Sequence, residues 1–214
     1  MAKIKICGIT NENDAVWCAG MGVHYLGFNF WENSPRKVSQ KMVKDVVSKL
    51  PGFVKPVGVF VNAETDELIQ TVKNTGLKLV QLHGDETVEY VKTLGEQISV
   101  VAPGVEVIKA FRVQGDEVIT SMEQYKPYVK YFLLDAYVPG VEGGTGEVFN
   151  WDIAVKAKIL EVPIFLAGGL NPDNVAAAVE KVDPFAVDVA SGVERLPRRK
   201  DYDKLKQFIL RCQC

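Results

Sequence analysis

Two rhythms of apolar residues alternate along the chain. Short β-branched or aromatic runs, the length of a strand, are followed by longer stretches in which apolar residues return every three or four positions. The strand candidates are Lys3 to Cys7, Tyr25 to Phe28, Pro56 to Phe60, Leu79 to Leu82, Val107 to Phe111, Tyr131 to Leu134, Ile164 to Ala167 and Ala186 to Val189. Helical spacing is plain from Lys41 to Leu50, where Met42, Val43, Val46, Val47 and Leu50 fall on one face. A second helix starts near Asp66 with Thr65 as its expected N-cap, ahead of Asp66 and Glu67, and presents Leu68, Ile69 and Val72. Asn171-Pro172-Asp173 reads as another helix start, with proline in the first turn. Asp201 to Leu210 supplies the last helix.

Alternating strand and helix signals imply βα units around a parallel sheet. An open doubly wound sheet usually stops at five or six strands, so an eighth repeat favours closure into a (β/α)8 TIM barrel. Residues 1–214 form a single domain on this reading, with about 27 residues per unit and short loops.

Composition narrows the partners. Hydrophobic residues make up 47% and charged residues 24%, an ordinary globular balance. The formal charge of −2 supplies no field for nucleic acid. Arg195 with Arg198-Arg199-Lys200 is a local basic cluster, either a solvated charge run or an attraction for a phosphorylated small molecule. No apolar run reaches membrane-span length, and Lys3 and Lys5 interrupt any signal-like segment, so a cytoplasmic location is expected. Cys7, Cys18, Cys212 and Cys214 form no paired framework and are expected to be reduced thiols, with Cys212 and Cys214 on a frayed tail. No metal-ligand spacing, dinucleotide fingerprint or Walker loop is present, so neither metal nor cofactor is expected. Monomer is the default expectation and homodimer the alternative.

Catalytic groups of parallel barrels stand at the carboxyl ends of strands. Cys7 ends the first strand and Asp135 follows the sixth. A nearby positive charge or helix amino terminus lowers a thiol toward a usable base, while partial desolvation suits an aspartate to act as acid. The competing readings are a buried apolar filler for Cys7 and a loop cap for Asp135. Asp188 is a rival carboxylate, but mid-strand, where it would instead tie down loops. Arg36, on a proline-stiffened turn after strand two, either clasps a substrate carboxylate by its fork or is a surface arginine. His83, after strand four, either orients substrate or bonds a neighbouring loop. Gly168-Gly169 after strand seven and Ser191-Gly192 after strand eight match the barrel's phosphate loops, where bare backbone N–H groups approach an anion. Gly140 to Gly146, containing Gly144, is either a lid or a plain surface loop.

Taken in order, Lys5-Ile6-Cys7-Gly8-Ile9-Thr10, Ser34-Pro35-Arg36, Val57-Gly58-Val59-Phe60, Gln81-Leu82-His83-Gly84, Leu133-Leu134-Asp135, Gly143-Gly144-Thr145-Gly146, Leu166-Ala167-Gly168-Gly169-Leu170 and Asp188-Val189-Ala190-Ser191-Gly192-Val193-Glu194 resemble the phosphoribosylanthranilate isomerase family along nearly the whole chain. The resemblance implies a TIM barrel of tryptophan biosynthesis that carries out a cofactor-free Amadori rearrangement of a phosphosugar. It makes Cys7 the general base and Asp135 the general acid, assigns Arg36 to the substrate carboxylate and gives the glycine loops the phosphate. Two departures stand out. The family's Pro-Gly-x-Lys-Asp is Pro197-Arg198-Arg199-Lys200-Asp201 here, and its Phe-Asp-Trp is Phe149-Asn150-Trp151. Asparagine can still cap the following helix. A histidine-pathway aldose–ketose isomerase would place aspartate at Cys7, and a silent sugar-phosphate-binding barrel would not need both Cys7 and Asp135.

Overall fold

The first strand, β1 (Lys3–Ile6), pairs in parallel with β2 (Tyr25–Asn29) on one side and with β8 (Ala186–Val189) on the other, so the sheet has no edge. Between them run β3 (Lys55–Phe60), β4 (Leu79–Leu82), β5 (Glu106–Val113), β6 (Tyr131–Ala136) and β7 (Ile164–Leu166), each bonded to its sequence neighbour in a closed eight-stranded barrel. The computed structural model describes residues 1–136 and 150–213. Both the TIM barrel and the eight expected strands are borne out, with strand ends moved by a residue or two. Gly140 to Gly146, and Cys214, lie outside the described residues.

Side chains alternate across each strand. Outward residues such as Ile4, Ile6, Phe28, Val80, Phe132 and Val187 join the helices in the main apolar layer. Inward residues Tyr25, Val57, Leu79, Ile108, Tyr131, Leu133 and Phe165 fill the barrel, where Phe165 meets Tyr25 and Tyr131 edge-on at 5.1 and 5.3 Å. The same alternation sends Lys5 and Cys7 inward, and likewise Gln81 with His83, Leu133 with Asp135, and Ala186 with Asp188.

Around the barrel stand α1 (Glu12–Gly20), α2 (Gln40–Val47), α3 (Thr65–Thr75), α4 (Val88–Val101), α5 (Glu117–Tyr125), α6 (Trp151–Ala157), α7 (Val175–Val182) and α8 (Tyr202–Cys212). Asn150 caps α6 as expected, and Asn11 and Asp201 cap α1 and α8, each side chain accepting from backbone N–H groups two or three residues on, with α8 starting after Asp201. Two helix starts differ. Thr65 is the first residue of α3, and Glu64 before it makes no side-chain cap bond. Pro172 precedes α7 in a separate turn, in which Asn171 Oδ1 accepts from the Asp173 N–H and Asn174 Oδ1 from the Asn171 N–H, each at 2.8 Å. α2 ends at Val47, and tighter turns carry the chain on to Leu50.

The sequence pattern did not show a two-stranded antiparallel hairpin, β9 (Glu194–Leu196) and β10 (Arg199–Lys200), between β8 and α8. The basic cluster is thereby dispersed. Lys200 is buried, and Arg198 bends back to bond the Pro35 and Lys37 carbonyls at 3.0 and 3.2 Å. Cys212 is likewise buried inside α8, so the chain is packed up to that point instead of frayed.

Candidate active site

A cleft of about 330 Å³ opens at the carboxyl ends of the strands. Cys7, Asp135, Arg36, His83, Gly168, Gly169, Ser191 and Gly192 all line it, so residues distant in sequence converge. Gly144 lies outside the described residues.

Cys7 is fixed at both ends of its peptide. Its N–H donates to the Val189 carbonyl at 2.8 Å, and its own carbonyl accepts from Lys200 Nζ at 2.6 Å. Across from it, a Cβ on Gly27 would come within 2.7 Å of Sγ, so glycine there makes room for the sulfur. Burial pushes the Cys7 thiol up, and the ammonium of Lys5 opposes that push. The sequence expectation of a thiol drawn down by a neighbouring charge is therefore half right: the charge is present, but desolvation outweighs it.

Lys5 is completely buried and donates to Asp188 Oδ2 at 2.9 Å. Burial disfavours its charged form, but the attraction of Asp188 and Cys7 outweighs that and holds the group above its ordinary value. Asp188 Oδ1, buried at the cleft, has no partner among the described residues. Asp188 thus faces the barrel interior instead of tying down loops. Neither Lys5 nor its pairing was read from the sequence, although a lysine and an aspartate each flanked by apolar neighbours on a strand carry the signal.

At the sixth strand's end, Asp135 Oδ2 lies 3.2 Å from His83 Nε2, and His83 Nδ1 lies 2.7 Å from Gln81 Nε2. A neutral imidazole carrying its proton on Nε2 satisfies both contacts, with the Gln81 amide donating to Nδ1. His83 thus contacts Asp135 while lining the cleft, where its ring also faces the space a substrate would occupy.

Arg36 lines the cleft and is also held within the protein. Its Nε and Nη2 donate to the two oxygens of Glu194 at 2.9 and 2.6 Å, so one edge of the guanidinium is occupied and the Nη1 side remains for a ligand. Gly8, at φ +75, lets the arginine stem lie against the backbone, since a Cβ there would stand 2.4 Å from Arg36 Cδ. Burial pushes the Glu194 carboxyl up, but Arg36 and Lys200 outweigh it and hold the group below the ordinary carboxylate value.

The two glycine loops touch. Gly168 and Gly169 adopt left-handed conformations at φ 80 and 67, and a Cβ on Gly192 would meet the Leu170 carbonyl oxygen at 2.0 Å. The two loops therefore pack backbone against backbone on the cleft's rim. Among the described residues no cluster of three His, Cys, Asp or Glu is placed to hold a metal, and no helix is long and apolar enough to cross a membrane.

Residues 4–211 match the family model of N-(5'-phosphoribosyl)anthranilate (PRA) isomerase. The chain belongs to that family. Relatives named N-(5'-phosphoribosyl)anthranilate isomerase include one from Geobacter sp. (strain M21), 48% identical over 209 residues covering 98% of this chain and 97% of that one. Another, from Geobacter metallireducens, is 46% identical over 214 residues and all of both chains. The phosphoribosyl anthranilate isomerase of Thermotoga maritima superposes with a TM-score of 0.90 at 37% identity, over 100% of this chain and 99% of that one. A phosphoribosyl anthranilate isomerase structure holding reduced 1-(o-carboxyphenylamino)-1-deoxyribulose 5-phosphate superposes at 0.87 with 35% identity over the same shares. The expectation of an isomerase of tryptophan biosynthesis is borne out.

Proposed function

We propose that the protein converts N-(5-phosphoribosyl)anthranilate to 1-(2-carboxyphenylamino)-1-deoxyribulose 5-phosphate by an Amadori rearrangement, with Asp135 as general acid and Cys7 as general base. The observation that carries this reading is the convergence of both groups on one cleft from β1 and β6, with the glycine loops after β7 and β8 and Arg36 lining the same cleft.

Asp135 protonates the ribose ring oxygen while the amine lone pair forms the C1′=N bond, and the C1′–O bond breaks to open the ring. The Cys7 thiolate then takes the proton from C2′, and the electron pair of that bond neutralises the iminium to give an enolamine. Loss of the C2′ hydroxyl proton and gain of a proton at C1′ complete the ketone. Transfer of the thiol proton back to the Asp135 carboxylate, through solvent, resets the pair. His83 holds Asp135 in place, and Lys5 favours the thiolate against burial. The glycine loops take the phosphate, and the Nη1 side of Arg36 takes the anthranilate carboxylate. The protein acts in the cytoplasm on a small phosphosugar, with neither metal nor organic cofactor, as a single-domain monomer.

Cys7→Ser and Asp135→Asn are each expected to cut turnover by about 100-fold or more, followed by the loss of substrate fluorescence, with the far-UV circular dichroism unchanged. Near-normal turnover in either variant would remove that residue from the mechanism.

A further inference from the structure

The hairpin after β8 is bound to the cleft at three points. Glu194, buried at the base of β9, receives the Nε and Nη2 edge of Arg36. Lys200, buried in β10, donates to Glu194 Oε1 at 3.2 Å and to the carbonyls of Cys7 and Ala190 at 2.6 and 3.0 Å, which locks that carboxylate to the ends of β1 and β8. At the tip, Arg198 stands at φ 74, a conformation that disfavours any residue with a Cβ. Its side chain reaches the carbonyls of Pro35 and Lys37, the two residues flanking Arg36, and its own carbonyl accepts from the Thr10 hydroxyl at 2.7 Å. Arg36 is thus gripped twice, by its guanidinium from below and by its neighbours' backbone from above.

A long arginine side chain loses several rotors' freedom when it engages a ligand. A side-on pair with a buried, doubly anchored carboxylate fixes the plane of the guanidinium beforehand and leaves the Nη1 side of a residue that lines the cleft for a ligand. The tip arginine serves the same end: a strained backbone at position 198 is retained where the side chain bonds the Arg36 turn.

We propose that the β9–β10 hairpin is the element that aims Arg36 at the substrate carboxylate, with Glu194 and Arg198 as positioning residues. This rests on the assignment of the carboxylate to Arg36 made above.

The test compares two substrates, N-(5-phosphoribosyl)anthranilate and the same aminosugar built on aniline, which lacks the carboxylate. Glu194→Gln keeps the shape but weakens the grip, and is expected to raise KM for the carboxylated substrate about 10-fold while kcat moves less than about threefold. KM for the aniline compound should stay within about twofold. Arg198→Gly relieves the backbone strain and removes only the outer grip, and should raise KM for the carboxylated substrate by about threefold, again without effect on the other. Equal changes on both substrates would make the hairpin merely structural, and unchanged KM values would overturn the proposal. If Glu194→Gln does not fold, Arg198→Gly decides alone, since glycine suits that backbone. These variants read KM in a working enzyme, so their failure is separate from that of Cys7 and Asp135, which is read in turnover. If wild-type KM does not distinguish the two substrates, the carboxylate assignment itself falls, and the proposal with it.

Discussion

At the scale of single residues, the proposed chemistry turns on how a half-buried thiol is kept ionisable. Desolvation disfavours the Cys7 thiolate and raises the group, while the Lys5 ammonium favours the thiolate and lowers it. Removing the ammonium must therefore move Cys7 further up, all the more because Asp188 beside it is then unpaired and repels the thiolate. In a Cys214→Ser background, the rate of Cys7 alkylation by iodoacetamide should rise with pH through a midpoint above that of an ordinary thiol, and Lys5→Met should carry the midpoint higher still. Burial holds Cys18 and Cys212 at about 12 and about 11, so they contribute little below pH 10. A midpoint that stays put or falls in Lys5→Met would show that the ammonium does not support the base. The placement of Cys7 and Asp135 at the cleft was legible in the sequence because each follows an apolar run on a strand's inner register. Lys5 was not, because a lysine in a terminal strand reads as a solvent-facing charge until closure buries its whole stem.

At the scale of elements, the phosphate site proposed above would depend on two loops approaching each other. The contact between Gly192 and the Leu170 carbonyl oxygen leaves no room for a methyl group, so Gly192→Ala must push the loop after β8 away from the loop after β7. Inorganic phosphate should compete with substrate in the wild-type protein at roughly 10 mM, and Gly192→Ala should weaken that competition about 10-fold or more. Absence of competition in the wild type would count against that site, and equal inhibition of the variant would place phosphate elsewhere. The glycines themselves were readable, since two glycine loops after the last two strands are a strong local signal. The hairpin between β8 and α8 was not: Arg195, Arg198, Arg199 and Lys200 read as one charge run, although alternation turns Lys200 inward and leaves Arg199 exposed. The cap of α3 failed for a related reason, because a helix start is fixed by backbone geometry within a single residue and the Thr65-Asp66-Glu67 pattern allows more than one.

At the scale of the whole molecule, closure brings the first strand against the last, in register from Lys3 opposite Ala186 to Ile6 opposite Val189. Across that seam the Lys5–Asp188 pair is the one step of the register that carries opposite charges on the barrel's inner face. Backbone ladder bonds and the apolar neighbours Ile4, Ile6, Val187 and Val189 already hold the two strands together. A buried ion pair adds little to stability over apolar residues of similar size, because desolvation cancels most of its attraction, yet losing one partner leaves a bare charge and costs about 3–5 kcal/mol. Lys5→Met and Asp188→Val should each lower the urea midpoint strongly, whereas the double variant should recover most of the loss. Turnover should stay low in all three, since none retains the ammonium paired beside Cys7. A double variant as unstable as the single ones would mean that the charges hold the barrel shut. Recovery of stability without recovery of turnover would mean that the fold tolerates the pair for the sake of the thiol two residues along the strand.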